Sequence, residues 1–398
     1  MIPMPHAAGY IPLKLNDRLK GKVEYEIVRK LGWGARSSVW LGRHDGSPND
    51  PSFSAIKVLT CADSIAIHDG KLYELDALRA LKNSDHPGLV YCITPIELFA
   101  ASSMHGAHLC ITFQPHSLSL QDLLMQASNA DPGFRLSIPA VQNIIRQTLR
   151  ALTCLHSLQF VHTDVKASNI FIANIGEGRM IDEFIKAFPS QTYTPRYAAE
   201  LSPDPIITVV SQPLPPFERL KLIELQALPN KSPIAIQTDK TSERPLVMPV
   251  MLRAPEIILG HPWGYAADIW AVGCMAMELL VAGDIFQLDT LPNIGLNEVH
   301  LARIMELLGT FDPTFLDKCS KRDAYFDETG QLLKTVNFED ESISASGSLT
   351  HRLSTASFEG QDLGSANDFL KCCLTLDPSL RPSAEDLLKD PWLVSGQV

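Results

Sequence analysis

The chain has 398 residues, enough for two or three structural units with their own cores, and 45% of them are hydrophobic. Its formal net charge of −11 argues against a nucleic-acid binder and is compatible with a cationic partner. No apolar run reaches the roughly 18 residues of a membrane span, and no basic stretch followed by an apolar one opens the chain, so neither a membrane anchor nor a secretion signal is expected.

The eight Cys include no C-x-x-C pair and the twelve His show no metal-ligand spacing; reduced thiols in cytoplasm or nucleus are expected. Residues 1–22 form a Pro-containing lead-in. Tyr25 to Lys30 reads as a strand and runs into Leu31-Gly32-Trp33-Gly34-Ala35-Arg36-Ser37-Ser38-Val39. Gly32 and Gly34 suit a backbone that turns sharply close to a ligand, and Ser37 stands where a third Gly is usual. Ala55-Ile56-Lys57-Val58 is a second apolar strand, in which a Lys is costly unless paired. The helical run Lys71 to Leu81 offers Glu74 as its partner. His105 and His108 fall in a loop-like stretch and are expected in solvent, and Leu109 to Gln114 is the last strand of this half.

Ala140 to Leu155 carries Val141, Ile144, Ile145, Leu149, Leu152 and Leu155 at helical spacing. This helix delivers Val161-His162-Thr163-Asp164-Val165-Lys166-Ala167-Ser168-Asn169. A carboxylate, an ammonium and an amide at Asp164, Lys166 and Asn169 are what phosphoryl transfer from ATP requires: a base, a neutralising cation and a Mg²⁺ ligand. Ile175 to about Pro216 is polar and Pro-rich. Arg253-Ala-Pro-Glu256 follows, and Asp268-Ile-Trp270 opens the most apolar helix, Ile269 to Val281. The Ser-, Thr- and Gly-rich tract Ser342 to Ser357 reads as a mobile loop.

These segments resemble a eukaryotic protein kinase of the SR-protein kinase family, fungal type, from about Gly9 to Leu393. The specific carriers are Gly9-Tyr-Ile-Pro-Leu, Arg29-Lys-Leu-Gly-Trp-Gly, Ser38-Val-Trp-Leu, His162-Thr-Asp-Val-Lys, Leu252-Arg-Ala-Pro-Glu-Ile-Ile-Leu-Gly and Tyr325-Phe-Asp-Glu-Thr-Gly-Gln-Leu. The resemblance implies an α+β, bilobal protein-kinase fold: a small β-rich N-lobe at 23–116 and a larger, mostly helical C-lobe at 117–398 with a spacer insert at about 175–216. It implies ATP held by Leu31 to Val39, Ala55, Lys57 with Glu74, and a hinge from Gln114 to Ser117. It implies Asp164 and Lys166 as catalytic residues and Mg²⁺ on Asn169. Asp268 is expected to brace the catalytic-loop backbone, and Arg381 to pair with Glu256 as an architectural contact. Thr163, where many kinases have Arg, is typical of this family. A monomer is implied, acting on protein substrates that are basic or Arg/Ser-rich, with neither nucleic acid nor membrane as partner.

The chain departs from the kinase pattern at one place: no Asp-Phe-Gly tripeptide occurs in it. Asp182, Asp239 and Glu224 are candidates for the second metal-holding carboxylate. Glu224 is favoured, because Leu220-Lys-Leu-Ile-Glu224-Leu225-Gln226-Ala has the apolar strand and left-hand context, with Leu225 and Gln226 for Phe and Gly. The alternative is a pseudokinase, an ATP-binding or scaffold protein that keeps the fold. The stretch Asp284 to Glu306, where the family holds Arg-rich substrates, offers only Asp284, Asp289, Glu298 and Glu306.

Overall fold

The computed structural model describes residues 9–47, 50–173, 178–196, 208–216, 225–227, 236–237, 248–288, 290–291, 293–334, 336, 348–356 and 360–395. In chain order come strands β1 (Arg18–Lys20), β2 (Glu24–Gly34), β3 (Ser37–Ser47) and β4 (Asp50–Leu59), then helices α1 (Cys61–His68) and α2 (Glu74–Lys82). Strands β5 (Glu97–Ser103) and β6 (Gly106–Phe113) precede helices α3 (Leu120–Ala130) and α4 (Ile138–Ser157). Strands β7 (Phe160–Val161) and β8 (Ile170–Ile172), helix α5 (Gly178–Ala187), and strands β9 (Leu225–Ala227) and β10 (Ile236–Gln237) follow. Helices α6 (Pro255–Leu259), α7 (Tyr265–Val281) and α8 (Leu296–Leu308) open a run of helices that continues to Ser395.

The chain divides into two compact units. The first, Met1–Asp85 with Cys92–Leu124 and Ile170–Pro233, is built on a six-stranded sheet of order β1-β2-β3-β4-β6-β5. Side chains alternate across a strand, and β4 shows why this matters. Ile56 and Val58 join Ile11, Tyr25, Ile27 and Trp40 on one face. Ala55 joins Leu78, Ile111 and Phe113 on the other, the face that Lys57 shares by register.

The unit takes in residues expected as an insert of the second lobe because they pack on this sheet. Ile181, Phe184 and Ile185 of α5 and Leu214 lie against Leu41, Phe53 and Val28. Arg43 pairs with Asp182 at 3.1 Å, Arg29 donates to the Phe188 carbonyl, Ser190 Oγ donates to Val28 O at 2.7 Å and Gln212 N to Lys30 O at 2.8 Å.

Helix α1 lies where no helix was expected. Thr60 caps it, its hydroxyl accepting from Asp63 N at 3.2 Å. His108 corrects a second expectation: it is fully buried on β6 rather than solvated. Its ring nitrogens lie 2.9 Å from Leu59 O and 2.7 Å from Ser103 Oγ, which satisfies both inside the unit.

The second unit, His86–Tyr91 with Met125–Asn169 and Ile234–Val398, is helical. Helix α4 buries the periodic residues Val141, Ile144, Ile145, Leu149, Leu152 and Leu155. Helix α7 is buried almost throughout. At Gly273 a Cβ would lie 2.7 Å from Cys373 Cβ, so that position admits only glycine without a shift. Residues Leu349–Thr355 form a helix capped by Ser348, inside the tract expected as a mobile loop. All eight Cys are free. Among the described residues no helix is long and apolar enough to cross a membrane.

Candidate functional site

Two constellations carry the residues singled out from sequence, one in each unit. In the first, β2 and β3 form a hairpin whose last pair is Gly34 opposite Ser37, so Ala35 and Arg36 make the turn. Gly32 and Gly34 have open space where a Cβ would stand. Trp33 is 63% exposed, and the Lys30 ammonium lies 6.0 Å from its ring centroid and 5.4 Å from that of Trp40. Burial holds the Lys30 pKa below its ordinary value. Ser37 and Ser38 are buried, and Ser38 Oγ accepts from Trp40 Nε1 at 2.9 Å.

Lys57 lies opposite Val39 on β3 and Ile111 on β6. Its ammonium donates to Glu74 Oε1 at the first residue of α2, and both residues are buried. Removing either partner would strand a buried charge, at a cost of about 3–5 kcal/mol. Leu31, Val39, Ala55, Phe113 and Phe171 belong to one apolar cluster on the Lys57 face. Gln114 follows β6 and is exposed.

In the second unit, α4 and β7 lead into the loop His162–Asn169. Asp268, fully buried on α7, accepts from His162 N and Thr163 N, each at 2.7 Å, and lies 2.9 Å from His156 Nε2. This brace holds Thr163 at φ 65, a left-handed conformation that a β-branched residue adopts only under constraint. Asp164 is thereby buried, with Lys166 Nζ 2.8 Å from its Oδ1. Asn169 donates its amide to Asp164 O at 2.7 Å and to Asp164 Oδ2 at 2.8 Å. Its Oδ1 is buried with no hydrogen-bond partner among the described residues. A buried carbonyl oxygen of this kind has the chemistry of a hard-cation ligand.

Glu256 and Arg381 form a fully buried bidentate pair, at 2.7 and 2.8 Å, with the guanidinium 5.0 Å from the Trp270 ring centroid. Of the three carboxylates considered for the metal, Asp182 lies on α5 and is engaged by Arg43 and by Lys186 at 2.6 Å. Glu224 and Asp239 lie outside the described residues. The three residues after Glu224 form β9, antiparallel to β8, with Leu225 opposite Ile172 and Ala227 opposite Ile170, the residue that follows Asn169. The C-terminal end of β9 therefore stands at that end of β8.

Sequence reasoning quoted Tyr10 and Arg29 within family motifs without giving either a role, and passed over Phe171. Phe171 was legible as the apolar residue two places after Asn169; Arg29 and Tyr10 act through partners far along the chain, which local pattern does not reveal.

The family model described as the protein kinase domain matches residues 25–195 and 235–393. The chain is 25% identical over 400 residues to the serine/threonine-protein kinase SRPK of Physarum polycephalum, covering 97% of this chain and 89% of that one. It is 28% identical to a serine/threonine protein kinase of Aspergillus fumigatus, over 97% of this chain and 88% of the relative. It is 26% identical to the serine/threonine-protein kinase AFC1 of Arabidopsis thaliana, over 98% of this chain and 74% of that one.

Proposed function

Because the chain belongs to the protein kinase family and is a serine/threonine kinase of SRPK-like type, we propose that it transfers the terminal phosphoryl group of ATP to serine hydroxyls of protein substrates, with Asp164 as base. The observation that carries this reading is the Asp164–Lys166–Asn169 constellation, buried and braced by Asp268. Asp164 orients the attacking hydroxyl and accepts its proton; Lys166 offsets charge on the moving group. Lys57, held by Glu74, grips the α- and β-phosphates, and the Gly32–Gly34 loop covers them.

A divalent metal fits Asn169 Oδ1, a buried acceptor with no hydrogen-bond partner among the described residues. When bound, Mg²⁺ neutralises charge on the phosphate oxygens. The second ligand is assigned to Glu224 from sequence. A thermal-shift titration with ATP, with and without Mg²⁺, tests the reading. Stabilisation by ATP that grows with Mg²⁺ and shrinks in Asn169→Ala is expected, and no response to ATP would contradict it.

The proposed substrate is basic, in keeping with the net charge of −11. The Asp284–Glu306 stretch is thin, since Glu298 is already paired with Lys334 and Glu306 with Arg303. Arg/Ser-rich peptides should therefore bind weakly and lose affinity in salt; affinity that is equal at low and high salt would count against this.

A second reading, a nucleotide-binding pseudokinase scaffold, is favoured by one observation: the sequence has no Asp-Phe-Gly. Nucleotide binding without phosphotransfer under any divalent metal would establish it.

A further inference from the structure

We infer that Tyr10, outside the Gly-rich loop, is a positioning residue that aims the backbone N–H of Ala35 at the phosphates of the nucleotide. The inference rests on the kinase reading and deepens it. Tyr10 Oη donates to the carbonyl of Gly34 at 2.5 Å, 24 residues along the chain. Gly34 is the last paired residue of β2, so this carbonyl belongs to the peptide that enters the turn. In a planar trans peptide the C=O and N–H point in opposite directions. Fixing the Gly34 oxygen therefore fixes the Ala35 N–H, a turn donor outside the strand pairing.

Tyr10 precedes Ile11, which is buried with Ile56 and Val58. Its bond holds the Gly34 carbonyl, and the Ala35 N–H on the other side of that peptide is the donor assigned to the phosphates. The segment carrying Tyr10 is itself anchored. Gly9 adopts φ 69 and comes so close that a Cβ on it would lie 3.1 Å from Cys61 Cβ, and its carbonyl accepts from Cys61 N at 2.9 Å. The other side of the turn is tied to the same helix start: Arg36 O accepts from Thr60 N at 2.9 Å, and Arg36 lies 3.4 Å from Asp63. Burial, and then the Asp63 charge, raise the Tyr10 pKa, so the hydroxyl keeps its proton as a donor at neutral pH.

Without the hydroxyl the loop samples other peptide orientations, and each productive encounter with phosphate must reorder it. The test is calorimetric titration of wild type and Tyr10→Phe with two probes, ADP in Mg²⁺ and adenosine. Tyr10→Phe should weaken ADP by about three- to tenfold, the worth of one ordinary hydrogen bond, while adenosine, which has no phosphate, binds as to wild type. A merely structural role would weaken both probes together, and that result overturns the inference, as does unchanged ADP affinity. Wild-type protein that binds neither probe would overturn the kinase reading and this inference with it. An unchanged thermal midpoint in Tyr10→Phe is also required.

Discussion

At the scale of single residues, Lys57 and Asp164 are both buried charges, but they are held for different moments. In the proposed reading Lys57, paired with Glu74, meets phosphate in the bound ground state, whereas Asp164, paired with Lys166, meets a hydroxyl in the transition state. Lys57→Met should therefore weaken ATP binding by an order of magnitude or more, and Asp164→Asn should leave it nearly intact. Direct ATP titration of the two variants checks this, and equal losses would refute the division of roles. Glu278, on α7, poses a different test. Burial first, and then the charge of Asp284, push its carboxyl from an ordinary 4.5 up to about 7, against the opposing pull of Arg352 and of the Ile285 N–H. Its folded pKa lies above its unfolded one, so between those values the folded state holds a proton that the unfolded state lacks. The stability it contributes is fully present below pH 4.5 and is lost as pH rises through about 7. Glu278→Gln should remove that decline, leaving the variant the more stable at pH 8 by no more than about 3 kcal/mol. Denaturant melts of both proteins at pH 5 and 8 measure it; parallel pH profiles would contradict it.

At the scale of elements, the loop between β7 and β8 has its own regulatory consequence. The residue before Asp164 is Thr163, which offers no cation to an activation-segment phosphate, and the loop is held instead by Asp268. Phosphatase treatment should leave the transfer rate unchanged, and a large fall would show that a phosphate is needed after all. Elements whose information is local were legible in the sequence. Helix α4 shows its apolar stripe, α7 its apolar run, and the Asp164–Asn169 loop its spacing. Elements decided by distant partners were not. Helix α1 has no buried residue of its own and is signalled only by the Thr60 cap. His108 reads as polar and exposed until Ser103 and Leu59 supply its hydrogen bonds. The Ser-rich start of the helix at Leu349 looks like a loop because Ser favours both a loop and a cap.

At the scale of the whole molecule, the residues proposed for the chemistry fall in two compact units, with the Lys57–Glu74 pair in one and the Asp164–Lys166–Asn169 set in the other. The fold class was readable because motifs for both units stand in one chain in a fixed order. The carboxylate proposed for the metal was not, because without an Asp-Phe-Gly tripeptide residue type alone leaves Asp182, Glu224 and Asp239 as candidates. The central claim is phosphotransfer by the Asp164 constellation. Its most direct measurement is incorporation of γ-labelled phosphate from ATP and Mg²⁺ into serine of a basic protein, by wild type and Asp164→Asn under identical conditions. Wild type should label the acceptor, and Asp164→Asn should do so at least about 100-fold more slowly, the contribution typical of a positioned general base. Equal labelling by the two proteins, or none by wild type, would contradict it.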